Sequence, residues 1–200
     1  MRWMAVIGMA GLLVAGSSAM AGSPREPGMA ADTCSVCHGN NGIAETPWFP
    51  SLAAQDKDYL TTQLQNFRNR SRADHYGKAY MWNLAGTLSD KAIAELSAYY
   101  AALPAPKPSS HEDPALVAEG KTIFEKGIDS ESVPACGACH GPSAAGTSIA
   151  PRLAGQHSAY LLAQLKAFRS NERDNAVMHS NVQNMTDEQM QQIAAYLASL

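Results

Sequence analysis

The sequence has no cysteine outside two short strings, Cys34-Ser35-Val36-Cys37-His38 and Cys136-Gly137-Ala138-Cys139-His140. It also has no excess of basic residues. Fifteen lysines and arginines stand against 18 aspartates and glutamates, so there is no cationic face for a nucleic acid. Beyond the N-terminal segment no apolar run is long enough to span a bilayer. No β-rich pattern appears either. These absences argue against membrane-embedded, nucleic-acid-binding and β-sheet readings.

The N-terminal segment has its own logic. Arg2 supplies a positive start, Ala5 to Ala15 form an apolar run of leader length, and Ala19-Met20-Ala21 offers the small-x-small pattern read at cleavage. We expect residues 1–21 to be a signal peptide and the mature chain to run over 22–200, exported to the bacterial periplasm. Removing Arg2 leaves 14 basic against 18 acidic residues, a formal charge of −4. That balance suits docking to positively charged patches on partner proteins. Loose association with the membrane surface stays open.

Export would ordinarily make cysteines disulfide candidates. Here every one sits in Cys-x-x-Cys followed directly by His, the attachment pattern of c-type haem. The spacing has a chemical reason. Each thiol adds to one vinyl group of the porphyrin, and the two-residue bridge holds both sulfurs along one edge. The adjacent His38 or His140 then lies beneath the iron as its proximal ligand. A zinc site fits paired cysteines but does not require His immediately after both. A redox dithiol would need a βαβ setting.

The chain repeats itself. The first cysteines of the two strings are 102 positions apart. Pro50-Ser51-Leu52-Ala53-Ala54-Gln55 returns as Pro151-Arg152-Leu153-Ala154-Gly155-Gln156 at an offset of 101, and Tyr59-Leu60, Gln63-Leu64 and Phe67-Arg68 return at the same offset. Met81, Leu88, Tyr99 and Leu103 match Met178, Met185, Tyr196 and Leu200 at an offset of 97. The slow drift is what small loop deletions produce. We therefore expect a duplicated domain: 22–103, a proline-rich linker over 104–112, and 113–200.

The coarse secondary structure is helical. Tyr59 to Phe67 and Tyr160 to Phe168 carry apolar residues at i, i+4 spacing. Ser89-Asp90 and Thr186-Asp187 cap closing helices, and Asp113-Pro114 opens the helix containing Leu116 to Phe124. The first half has only Pro27 to Thr33 in that position, so its opening helix is expected to be short or absent. Each unit has fewer than a hundred residues, too few for a large apolar core; a buried porphyrin would complete it.

Haem iron needs a partner opposite the histidine unless the site is open for chemistry. Met81 and Met178 occupy equivalent positions before the closing helices, and a thioether raises the potential relative to a second imidazole. Met185 and Met190 align with apolar positions and read as core; Met29 has no counterpart. His179 and His75 are alternative ligands, while His157 and His111 read as capping or solvated residues. Pro50 and Pro151 are candidates to accept a hydrogen bond from the proximal ring. Arg68 with Arg169, and Gln63 with Gln164, read equally well as propionate contacts or as solvated helix positions.

Each half resembles a class I cytochrome c domain, and the whole resembles the dihaem cytochrome c4 family, through the two Cys-x-x-Cys-His strings, the Pro-x-Leu-Ala-x-Gln segments, the Tyr-Leu…Gln-Leu helices and Met81 and Met178. The resemblance implies a mostly α fold of two tandem domains, each around one covalent haem c, with the haems near the interface. It implies an electron carrier, with a quinol-oxidising complex or a dehydrogenase as donor and a terminal oxidase as acceptor. It also makes Gly120 and Phe124 helix-crossing residues that pack near Tyr196. The truncated start of the first half departs from that pattern. The competing readings are a haem enzyme, either a peroxidase or an oxidiser of sulfur compounds, and the electron-accepting subunit of a dehydrogenase.

Overall fold

The computed structural model describes residues 1, 28–108 and 111–200. Apart from Met1, the expected leader lies outside the described residues, as do Ser109 and Ser110 of the expected linker. The described chain is helical, and its one ladder-type pairing is the bridge between Ile128 and Val133. Among the described residues no helix is long and apolar enough to cross a membrane.

The first half contains a π-type turn at Ala30–Cys34 and the helices α1 (Ser35–His38), α2 (Lys57–Arg68), α3 (Trp82–Ala85) and α4 (Asp90–Ala101). A second π-type turn, Gly77–Met81, leads into α3. The second half contains α5 (Pro114–Lys126), α6 (Gly137–His140), α7 (Ser158–Arg169), α8 (Ala176–Val182) and α9 (Asp187–Ala198). The expected helix starts are present. Ser89 caps α4 by accepting from Ala92 N, and Asp113 caps α5 with Pro114 in the first turn. Thr186 and Gln189 close a reciprocal capping box on α9, which satisfies amides that the helix itself leaves unpaired.

The apolar stripes build two separate cores. Leu60 and Phe67 of α2 meet Ile93, Leu96, Tyr99 and Tyr100 of α4. Leu161 and Phe168 of α7 meet Met190, Ile193, Tyr196 and Leu197 of α9, joined by Ile123 and Phe124 of α5. Met185 and Met190 are core residues, 3% and 0% exposed.

Helices α5 and α9 cross at Gly120. A Cβ at that position would run into the Gln192 carbonyl and meet the Tyr196 Cβ at 2.9 Å, so only hydrogen allows so close an approach. Phe124, fully buried, packs on Tyr196 with ring centroids 5.4 Å apart. The crossing expected in the second half is thus present, whereas among the described residues the first half offers only the turn at Ala30–Cys34 before its cysteines.

Candidate functional site

Each Cys-x-x-Cys-His string forms a single helical turn ending at the histidine, α1 in one half and α6 in the other. Gly39 and Gly141 stop these turns with φ of 77° and 80°. A Cβ on Gly39 would strike the Ile43 carbonyl, so the chain can leave the turn there only through glycine. The loop beyond then folds back. Leu52 N and Ala53 N both donate to Gly42 O, at 2.7 and 3.0 Å, and Leu153 N and Ala154 N both donate to Ala144 O, at 2.8 and 3.0 Å.

This fold-back brings each loop proline over its histidine. His38 Nδ1 donates to Pro50 O at 2.8 Å, and His140 Nδ1 donates to Pro151 O at 2.9 Å. A carbonyl can only accept, so Nδ1 carries the proton and Nε2 keeps its lone pair. Burial lowers both imidazole pKa values and outweighs the opposing hydrogen bonds, so the rings are neutral, the form that binds a metal. The cysteine thiols move the other way: burial raises Cys34, and it pushes Cys136 up to about 11. A redox dithiol calls for a depressed thiol pKa, the opposite of the direction at Cys34 and Cys136.

A single cavity of about 940 Å³ connects the two strings. It is lined by Cys34, Cys37, His38 and Met81 on one side, and by Cys136, Cys139, His140 and Met178 on the other. Leu60, Phe67, Leu161 and Phe168 supply apolar wall. The candidate residues of both halves thus line one cavity, with Met81 at the end of its π-type turn and Met178 within α8. Met29 and Met185 also reach this wall; His75, His111, His157 and His179 do not. The His179 ring faces the backbone, with Nδ1 donating to Phe168 O at 3.0 Å. A tethering pair of sulfurs, a neutral imidazole with a free nitrogen and a largely apolar cradle are what a covalently attached haem requires, and each half supplies all three.

Several sequence expectations are corrected. Arg68 and Arg169 stand outside the cavity lining and keep 31% and 32% of their side-chain surface exposed. They tie helix ends together, donating to Leu88 O and Asp90 and to Met185 O and Asp187 respectively. His157 does not cap α7 with its side chain; its Nε2 donates across the halves to Ala44 O at 2.8 Å. Gln63 and Gln164 do not lie on a solvated face, since both accept from arginines at the interface.

That interface is what sequence reasoning missed. The glutamines ending the two Pro-x-Leu-Ala-x-Gln segments swap partners. Gln156 accepts from Ser51 N and donates to Ser51 O, both at 2.9 Å. Gln55 accepts from Arg152 N at 3.0 Å and donates to Arg152 O at 2.9 Å. Residues 51 and 152 are themselves repeat equivalents, so the contact is reciprocal, as across a twofold axis. Arg72 and Arg173 behave in the same way. Arg72 reaches Gln63 in its own half and Tyr160 and Gln164 in the other; Arg173 reaches Gln164 in its own half and Tyr59 and Gln63 in the other. The available signal was their shared offset of 101.

The comparisons with known proteins agree with this geometry. The cytochrome c family model matches residues 117–200. Cytochrome c-552 of Acidithiobacillus ferridurans is 42% identical over 193 residues, covering 94% of this chain and 84% of that protein. Cytochrome c4 of Pseudomonas aeruginosa is 34% identical over 201 residues, covering 97% and 94%. The solved structure of Acidithiobacillus ferrooxidans cytochrome c4 superposes with a TM-score of 0.80 at 42% identity, over 84% of this chain and 98% of that one. The reciprocal halves, the two haem-attachment turns and these relatives lead to one conclusion: the chain belongs to the dihaem cytochrome c4 family, a dihaem electron-transfer cytochrome with covalently bound haem c.

Proposed function

We propose that this chain moves electrons between respiratory partners in the periplasm through two His/Met-ligated haems, paired as His38 with Met81 and His140 with Met178. The carrying observation is the shared cavity, which has a neutral histidine and a half-buried methionine from each half in its wall. When bound, each haem supplies an iron that cycles between ferric and ferrous. Cys34 and Cys37, and Cys136 and Cys139, tether the porphyrins. Pro50 and Pro151 orient the imidazoles through their Nδ1 protons, and the thioethers of Met81 and Met178 favour the reduced iron. The domains we assign are 22–103 and 113–200, joined by 104–112, with residues 1–21 removed on export. A mature protein whose N-terminus is not near residue 22 would overturn that last assignment.

The ligand assignment is tested with Met81→Ala and Met178→Ala in the haem-loaded protein. Oxidised His/Met haem has a weak sulfur-to-iron absorption band at the red edge of its spectrum. Each variant should lose one haem's share of that band and keep the other's. A band unchanged in both variants would remove the methionines from the proposal.

A second reading concerns the partner. A relative in Thiomonas intermedia is named a thiosulfate dehydrogenase electron acceptor, which supports a dedicated donor enzyme as the alternative to a general respiratory donor. Purification of the untagged protein separates the two readings, because a stably co-purifying catalytic chain would displace the free-carrier model. Turnover with peroxide at a useful rate would favour a haem enzyme over both.

A further inference from the structure

At three positions of the cavity wall the first half carries an aromatic ring where the second half has an aliphatic side chain. Trp48 and Phe49 correspond to Ile149 and Ala150 at an offset of 101, and Tyr80 corresponds to Val177 at an offset of 97. Trp48, Phe49 and Tyr80 line the cavity together with Tyr76. Trp48 stacks on Tyr76 with ring centroids 6.2 Å apart, and Phe49 meets Tyr80 edge to face at 5.5 Å. Phe49 also meets the His38 ring at 6.3 Å, with 66° between the planes. These separations lie in the range where aromatic rings attract beyond the area they bury.

The pairs join the two segments that carry the first half's candidate ligands. Phe49 precedes Pro50, whose carbonyl accepts from His38 Nδ1 at 2.8 Å. One short stretch thus holds the imidazole by a hydrogen bond and by a ring edge. Tyr80 precedes Met81 in the π-type turn Gly77–Met81, and Tyr76 stands at the head of that turn, which has no side-chain cap. Met178 is held differently. It lies in the first turn of the regular helix α8, and its own N–H donates to Asn175 Oδ1 at 2.9 Å. A single π-type turn is rare, and so short a helical segment gains little stability from its own hydrogen bonds. Tertiary contacts have to hold the turn that ends at Met81, and the rings supply them.

We propose that Phe49 and Tyr80, backed by the stack of Trp48 on Tyr76, form a clip that fastens the Met81 turn to the loop holding His38 and so resists displacement of the Met81 thioether by an external ligand. The inference rests on the His/Met reading and adds Phe49 and Tyr80 to it as positioning residues. Displacement is a simple exchange: the iron–sulfur bond breaks, an iron–nitrogen bond to an incoming imidazole forms, and neither charge nor oxidation state changes.

The test titrates imidazole into the oxidised, haem-loaded protein at a pH where imidazole is neutral. Paramagnetically shifted NMR signals report displacement at each haem separately, and the red-edge sulfur band reports the loss of methionine ligation. Phe49→Leu and Tyr80→Leu keep an apolar side chain and remove a ring. Each should lower the imidazole concentration that half-displaces Met81 by on the order of two- to tenfold, the worth of one aromatic pair, and leave the Met178 midpoint unchanged. Tyr80→Phe keeps the ring and should match the parent. The double variant of Phe49→Leu and Tyr80→Leu should fall short of the product of the singles, because both remove the same ring pair. An unchanged Met81 midpoint in both leucine variants, an equal gain in imidazole affinity at both haems, or a Tyr80→Phe variant that behaves like Tyr80→Leu would overturn the proposal. If Phe49→Leu fails to load haem, Tyr80→Leu and Tyr80→Phe decide by the same criteria. A parent protein without the sulfur band would refute the His/Met reading and the clip with it, whereas a parent with the band and variants with unmoved midpoints would refute the clip alone.

Discussion

Replacing Gln156 with Ala removes a clasp that the structure quantifies. Gln156 is 8% exposed and makes two bonds to the Ser51 backbone, with a third from His157 N to its Oε1. A neutral hydrogen bond contributes about 0.5–1.5 kcal/mol net, and a buried backbone group left without a partner costs about 1–3 kcal/mol. Ser51 is 5% exposed, so water does not easily replace the lost amide at its N–H and carbonyl. The expected loss is about 2–4 kcal/mol. Gln55→Ala should cost nearly as much, because Gln55 makes the same pair of bonds to Arg152 and a third to Asp56 N. The assay is thermal unfolding of the haem-loaded protein followed by far-UV circular dichroism. The clasps bridge the halves rather than sit within either core, so each variant should also broaden or split a shared transition. The double variant should lose less than the sum of the singles, since the second clasp acts on an interface already loosened. Single variants within about 0.5 kcal/mol of the parent, a level typical of unconstrained surface changes, would refute the clasp. So would singles that differ widely from each other.

Two further outcomes are expected. Gly120→Ala should destabilise the second half by about 1–3 kcal/mol or more, the cost of forcing atoms into a filled contact. The reason is that its Cβ collides with the Gln192 carbonyl; an unchanged melting temperature would mean that α5 and α9 are not so close. The interface should also respond to acid. Burial pushes the Asp74 pKa up, but the Arg72 and Arg173 charges with the Arg72 and Gln164 hydrogen bonds prevail and hold it below the ordinary 3.8. A depressed carboxylate pKa adds stability that is complete above the unfolded value and is lost as pH falls through the folded one. The melting-temperature gap between the parent and Asp74→Asn should therefore narrow below about pH 4. A constant gap at every pH would argue against an ionised Asp74.

Much of this protein can be read from its sequence because two chemical constraints leave local marks. Attachment of a porphyrin requires two thiols two residues apart with a histidine beside them, so His38 and His140 were visible at once. Helix caps such as Ser89, Thr186 and Asp113 are local too. Gly120 and Phe124 were legible only through the family resemblance, because a crossing pairs residues far apart in the chain. The interface left a fainter mark. Gln55, Gln156, Arg72 and Arg173 are polar, and a polar residue on a helix or loop reads by default as solvated. Nothing in one half shows that the glutamines' partners are backbone atoms, and the arginines' partners side chains, about a hundred positions away. Only the duplication carries that information, in the recurrence of the same polar residues at one offset.

The duplication also explains why the interface can be polar and buried at once. Two apolar faces would hold the halves together without fixing their register, because apolar contact is non-directional. Reciprocal amide-to-backbone bonds work in one register only. Gln156 matches Ser51 while Gln55 matches Arg152, and a slip of one residue would leave the buried N–H and carbonyl of Ser51 unpaired, at about 1–3 kcal/mol each, and the half-buried pair of Arg152 with them. The two haem-attachment turns are each locked to a loop by a histidine-to-proline bond, and those loops carry Ser51 and Arg152 immediately after the prolines. The register that satisfies the glutamines is therefore the one that sets the distance between the two sites. A protein that passes electrons between two centres needs that distance held constant, and here it is held by the residues that follow Pro50 and Pro151.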